Sequence, residues 1–334
     1  MNDLIREFRF GTLRLTLAPR QDLVFKEFPG FTLHRAFGRA LQVAACKDPG
    51  CDGNPCVRPA ECAFGLFWSP KADALTPKRY TSVPCPIMVS IPEPSGAYYT
   101  VRGSGADEEA PPEVRQPVAW PQGHPLTMEI VLVGRALDHL HTVTAAVDLL
   151  CGRFGLGPER VKLDRTVSGD GDGPMFGEWR DLALPSDRHC PVAEVEFATP
   201  MWLEKGKEVV GLLFHEVALA IARRLAILVY TYCLPERNLD LWRELEDWTR
   251  DVCAEAKAGV QRLAHREEYA RDWYGSRVKK EDFWMHGYLG RAIYAGEPGG
   301  FLPLLRAGQL IRAGKGTEMG WGQIRLASTD LEPG

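Results

Sequence analysis

Four stretches of this chain hold residues whose types and spacing could do chemistry. The first is Leu33-His34-Arg35-Ala36-Phe37-Gly38-Arg39. Leu33, Phe37, Ala40, Leu41 and Ala44 recur at helical spacing, so a helix here turns His34, Arg35 and Arg39 to its polar side. Histidine changes charge near neutrality and can take or give a proton. Two arginines at i, i+4 repel one another unless an anion meets both, and the alternative is a solvated basic face. The second stretch is Ala313-Gly314-Lys315-Gly316-Thr317-Glu318-Met319-Gly320-Trp321-Gly322, with Arg312 before it. N–H groups from successive glycines can line a concavity that holds phosphate, and Lys315 and Arg312 bring matching charge. The order helix, loop, strand excludes a Walker A loop and a dinucleotide fingerprint, both of which open a helix. A tight turn that needs glycine only for geometry is the alternative.

The third stretch carries Cys46, Cys51, Cys56 and Cys62, separated by four, four and five residues. Four thiolates in one loop suit a tetrahedral structural zinc, though the spacing is looser than paired Cys-x-x-Cys knuckles. Small buried thiols packing the loop are the other reading. The fourth is a basic hairpin with Arg277, Lys279 and Lys280 at its tip and His286 beyond it. Two further patterns fail. His215-Glu216 lacks the second histidine of a zincin helix, and the aspartates at 170 and 172 do not complete a calcium loop.

These groups need elements to position them. The 334 residues suggest two domains, and 45% hydrophobic with 25% charged residues is ordinary for a globular chain. A net charge of −4 counts mildly against a nucleic-acid partner, yet a local basic face can still serve. The N-terminus shows no secretory pattern, and nine cysteines point to a cytoplasmic protein with thiols reduced or metal-bound. The most apolar stretch, 209–233, carries His215, Glu216, Arg223 and Arg224, so it reads as a core helix and not a membrane span.

In order, the chain predicts a strand over 7–17, the helix at 32–41, strands at 63–68, 85–91 and 98–102, an exposed acidic loop at 103–121, a strand at 126–133, a helix at 136–151 and a strand at 161–167. That is a β-α-β-β-α-β unit with insertions. A glycine- and aspartate-rich linker follows. The pattern then repeats: strand 193–198, helix 209–232, an inserted acidic helix 239–256, a hairpin over 267–278 and 283–294, helix 299–311, the glycine loop and strand 321–326. The expected architecture is α+β, with two tandem ferredoxin-like domains at 1–167 and 191–334 and a linker at 168–190.

The order of these segments resembles the CRISPR repeat-RNA processing endoribonucleases of the RAMP superfamily. The resemblance runs from Leu33–Leu41 through Cys62–Phe67, Val133–Ala136, Phe197–Pro200, Asp272–Arg277 and Pro303–Gly308 to the glycine loop, its most specific feature. It implies an endoribonuclease that binds a repeat-RNA hairpin and cleaves it by attack of the RNA's own 2′-OH to give crRNA, with no metal or small-molecule cofactor required. It implies His34 as base or acid, with Arg35, Arg39 and Lys315 stabilising phosphate and His286 as second choice. RNA contacts are expected from Arg312, Gly314, Lys315, Gly316, Gly320, Gly322, Arg277, Lys279 and Lys280. Other effector-complex subunits are further partners under this reading. Two alternatives stand beside it: a non-catalytic RAMP subunit that holds crRNA in an effector complex, and a zinc-stabilised binding module that does not act on RNA.

Overall fold

The computed structural model describes residues 2–25, 28–46, 62–78, 80, 82–91, 100–102, 118–166, 173–205, 208–276 and 281–328. Its N-terminal half contains β1 (Arg9–Pro19), β2 (Leu23–Phe25), α1 (Pro29–Ala45), β3 (Ile87–Ser90), β4 (Thr100–Arg102), β5 (Val118–Trp120), β6 (Leu126–Val133), α2 (Leu140–Leu149), β7 (Leu163–Thr166) and β8 (Gly173–Glu178). The C-terminal half contains β9 (Val192–Met201), β10 (Glu204–Lys205), β11 (Glu208–Val209), α3 (Phe214–Leu228), α4 (Leu239–Gly259), β12 (Val260–Ser276), β13 (Glu281–Gly296), α5 (Leu302–Ile311) and β14 (Ile324–Ser328).

Both halves build the same antiparallel sheet. The first has the order β3-β6-β1-β7, the second β14-β9-β13-β12. Numbered within each β-α-β-β-α-β unit, the two orders are the same, and each unit is ferredoxin-like. Period-2 patterning explains β1, where Leu13, Leu15 and Leu17 are buried and the residues between them less so. The predicted hairpin is β12–β13, paired from Val260↔Gly296 out to Ser276↔Glu281.

Three segments depart from the sequence expectation. The segment at 63–68 is not a strand: Phe64–Trp68 is a wide helical turn that lays Trp68 across α1. Its aromatic run has no clean alternation, and packing against the helix decides its form. The expected strand near residue 100 exists as β4, but it joins the edge of the C-terminal sheet beside β12, with Val101 opposite Ala270. The expected linker contains β8, which pairs with Arg9–Arg14 of β1 while β7 pairs with Thr16–Pro19. One 11-residue strand thus serves two short partners.

A large hydrophobic core runs through both halves, from Ile5 and Phe37 to Leu225 and Ile324. A second cluster joins Phe28 and Phe31 of the α1 region to Ala270, Met285 and Leu289 of the β12–β13 hairpin and to Trp321 of the glycine loop. Trp321 is fully buried and stacks on Phe31 at 6.5 Å. Among the described residues no helix is long and apolar enough to cross a membrane.

Candidate nucleic-acid interface

Helix α1 starts with Pro29 at its first turn, where the missing N–H costs nothing. It buries Leu33, Phe37, Ala40 and Leu41. His34 is not on a freely solvated face. It is half-buried, its ring stacks on Trp68 at 4.6 Å, and its Nδ1 is out of solvent with no hydrogen-bond partner. Burial pushes its pKa below the usual imidazole value, Glu318 acts against that shift, and Arg312 adds to it. The ring is therefore neutral at pH 7, the form that can accept a proton.

The glycine loop folds onto this helix. All four of its glycines have positive φ: Gly314 85°, Gly316 75°, Gly320 98° and Gly322 74°. Gly316 and Gly320 bracket a short turn, Thr317–Met319. The turn sits so close to α1 that a Cβ on Gly30 would lie 2.2 Å from the Met319 carbonyl oxygen. Glu318 on the turn accepts a hydrogen bond from the Cys85 N–H at 3.3 Å. The loop thus reaches from the C-terminal unit to two segments of the N-terminal one.

The other side of the loop carries a different group. The Lys315 N–H donates to the Trp202 carbonyl at 3.0 Å, and its ammonium lies 4.9 Å over the Trp202 ring and pairs with Glu204. His286 of β13 packs against the same tryptophan at 4.5 Å and stacks on Tyr269 at 6.2 Å. Trp202 therefore brings His286 and Lys315 together, a juxtaposition not visible in the sequence.

Arg312 departs most from expectation. It is 3% exposed, and its guanidinium donates to the Thr317 carbonyl at 2.8 Å and the Val89 carbonyl at 3.0 Å. It bolts the loop to β3 instead of facing RNA. A non-glycine φ of 61° at this residue ends α5 and directs the chain into the loop. Arg35 and Arg39 are exposed on α1, but Arg39 leans 5.3 Å over Phe154, so these arginines line a strip beside the His34 corner. Arg277, Lys279 and Lys280 lie outside the described residues, as do Cys51 and Cys56. The Cys62 thiol lies 3.9 Å from the carbonyl of Ala45, the neighbour of Cys46, so the two described ends of the cysteine-bearing segment meet. Among the described residues no three metal-ligating side chains cluster.

Sequence reasoning missed Trp68, Trp202 and Glu318. Only Glu318 left a trace, as the single acid inside the glycine loop.

Residues 195–324, from β9 into β14 and including the whole loop, match the family model of the CRISPR-associated endoribonuclease Cas6. A second model, described as an N-terminal domain, matches residues 8–169. A solved structure of a Cas6 product complex superposes with a TM-score of 0.51 at 10% identity, covering 96% of this chain and 98% of that one. A second Cas6 product complex has a TM-score of 0.47 at 14% identity, covering 96% of this chain and all of the other. At such identity the 0.51 likeness speaks for fold, and it extends the tandem arrangement over the whole length. No curated protein matches the chain in sequence.

Proposed function

We propose that this protein is a CRISPR repeat-RNA processing endoribonuclease that works in the cytoplasm without a catalytic metal. The observation that carries the reading is the Cas6 family match over 195–324, a span that contains the loop folded onto the His34 helix. In the proposed reaction a 2′-OH attacks the adjacent phosphate. The 2′-O–P bond forms, the P–O5′ bond breaks, and the products end in 2′,3′-cyclic phosphate and 5′-OH. Neutral His34 takes the 2′-OH proton, and the resulting imidazolium can return one to the leaving oxygen. Lys315 at the loop's exposed tip and the Arg35–Arg39 strip supply positive charge for the RNA backbone and the developing phosphorane. The repeat hairpin is the partner, and the crRNA product can pass to effector subunits. A zinc held by Cys46, Cys51, Cys56 and Cys62 would be structural and would take no part in the chemistry.

One observation favours a second assignment. His286 and Lys315 share Trp202, so His286 is the base if the scissile phosphate lies on that side of the loop.

The test is cleavage of the cognate repeat RNA in EDTA, with a second substrate carrying a 2′-deoxy nucleotide at the cleavage site. The ribose substrate is expected to be cut and the deoxy substrate to resist. Equal cutting of both would exclude the 2′-OH mechanism. Binding without cutting would favour a non-catalytic crRNA-holding subunit.

A further inference from the structure

The corner under the loop contains more charged groups than a proton shuttle at His34 needs. Glu318 and Arg312 belong to the loop that packs on the His34 helix at Gly30, and both charges act on the His34 ring. Cys85 comes from the segment before β3, Arg224 from α3 and Tyr232 from the turn after α3, and each of these is influenced by the Glu318 charge. Arg224 is half-buried. Its Nε donates to the Ile311 carbonyl at 2.7 Å, and one of its Nη atoms has no partner. Arg224 and Arg312 thus hold backbone carbonyls at the base of the loop, that of Ile311 and that of Thr317, and the one acid within the loop is Glu318.

The backbone fixes that carboxylate. Gly316 and Gly320, both left-handed, close the short turn around it. The turn is pressed onto the first turn of α1 at Gly30, one helical turn before His34. The Cys85 N–H pins one carboxylate oxygen from the opposite side. Trp68 stacks on the imidazole, and the Glu318 turn packs on the same helix.

We infer that Glu318 is the positioning residue for His34: its turn, seated on α1 one helical turn before the imidazole and pinned by the Cys85 N–H, orients the ring and sets a fixed carboxylate beside the proton that the ring carries in mid-reaction. This inference rests on the assignment of His34 as the proton-transfer group. In that assignment His34 must carry a proton in mid-reaction while half-buried near the Arg312 cation, which is unfavourable unless a negative charge is fixed nearby. Glu318 supplies it, much as a carboxylate behind a catalytic histidine does in other proton-transfer sites. It does not itself need to touch RNA.

Glu318→Gln separates charge from structure, because the amide oxygen can still accept from Cys85. The experiment is a pH titration of the histidine ring signals by NMR in the full-length protein, with the His34 signal identified by its loss in His34→Ala. In Glu318→Gln the His34 titration is expected to move to lower pH, and the acid limb of the single-turnover cleavage profile to move with it. A roughly tenfold loss of rate near neutrality, with RNA binding unchanged, is the expected scale for losing part of an acid–base contribution. Glu318→Asp, which keeps the charge, should recover part of that rate. An unmoved His34 titration in folded Glu318→Gln would overturn the inference. If the His34 titration moves but the cleavage profile does not, Glu318 still faces His34, and it is the catalytic assignment of His34 that fails.

Discussion

At the residue scale, the catalytic reading depends on a histidine that burial keeps neutral. The His34 pKa lies below 6.5 in the folded protein, with burial the largest cause. The sign follows from linkage: the unfolded chain takes up this proton more readily, so the folded state loses stability as pH falls below about 6.5. His34→Gln should therefore flatten the decline, and the stability difference between wild type and variant should shift in favour of the variant on acidification. Urea melts at pH 7.5 and 5.5 measure this, and parallel losses in both proteins would argue against a neutral buried ring. Lys315 makes the opposite case. Its ammonium is mostly exposed, so Lys315→Ala should cost less than about 1 kcal/mol of stability. It should weaken RNA binding and lower the salt slope of log K by about one. A salt titration of RNA affinity checks it, and an unchanged slope would remove Lys315 from the backbone contacts. The sequence showed the identity of both residues but not their surroundings. Trp68 and Trp202 reach them only through tertiary folding, and neither lies at a local spacing that periodicity can expose.

At the element scale, the glycine loop was legible as a special conformation, and its four positive φ angles explain why. Its main structural work was not legible. The loop closes the two halves by seating Trp321 in the second core and by sending Arg312 back to Val89. An arginine beside a glycine-rich loop reads as a phosphate ligand, and only the fold reveals two carbonyl groups waiting for it. Gly322 gives the sharpest test of this role. A Cβ there would lie 1.8 Å from the Ala313 carbonyl oxygen, on a backbone with φ of 74°. Gly322→Ala is expected to lose about 3 kcal/mol or more, since strain and a backbone clash add. Gly300→Ala meets no atom within 4 Å and should stay within about 0.5 kcal/mol of wild type. Chemical denaturation of the pair measures the contrast, and similar losses at both positions would refute a specific demand at 322. Arg312→Ala should cost about 3 kcal/mol, because two buried carbonyl groups lose a charged donor at once.

At the scale of the whole molecule, the repeated β-α-β-β-α-β order was readable because each unit carries its own periodic strands and helices. What the order could not convey was how the two units exchange parts. Strand β4 leaves the N-terminal stretch to pair with β12, and one core runs through both halves. Pairing between segments so far apart leaves no local signature. The consequence for function is that the His34 helix and the glycine loop, which lies within the segment matching the Cas6 model, come from opposite halves and meet at their junction. The central claim is that this junction is where RNA is cut, with His34 as the proton-transfer group. Its most direct test is single-turnover cleavage of the cognate repeat RNA by His34→Ala, beside His286→Ala and with binding measured in parallel. His34→Ala is expected to bind the RNA like wild type and to cleave at least about a hundredfold more slowly, while His286→Ala retains most of its rate. Cleavage at the wild-type rate by His34→Ala would contradict it.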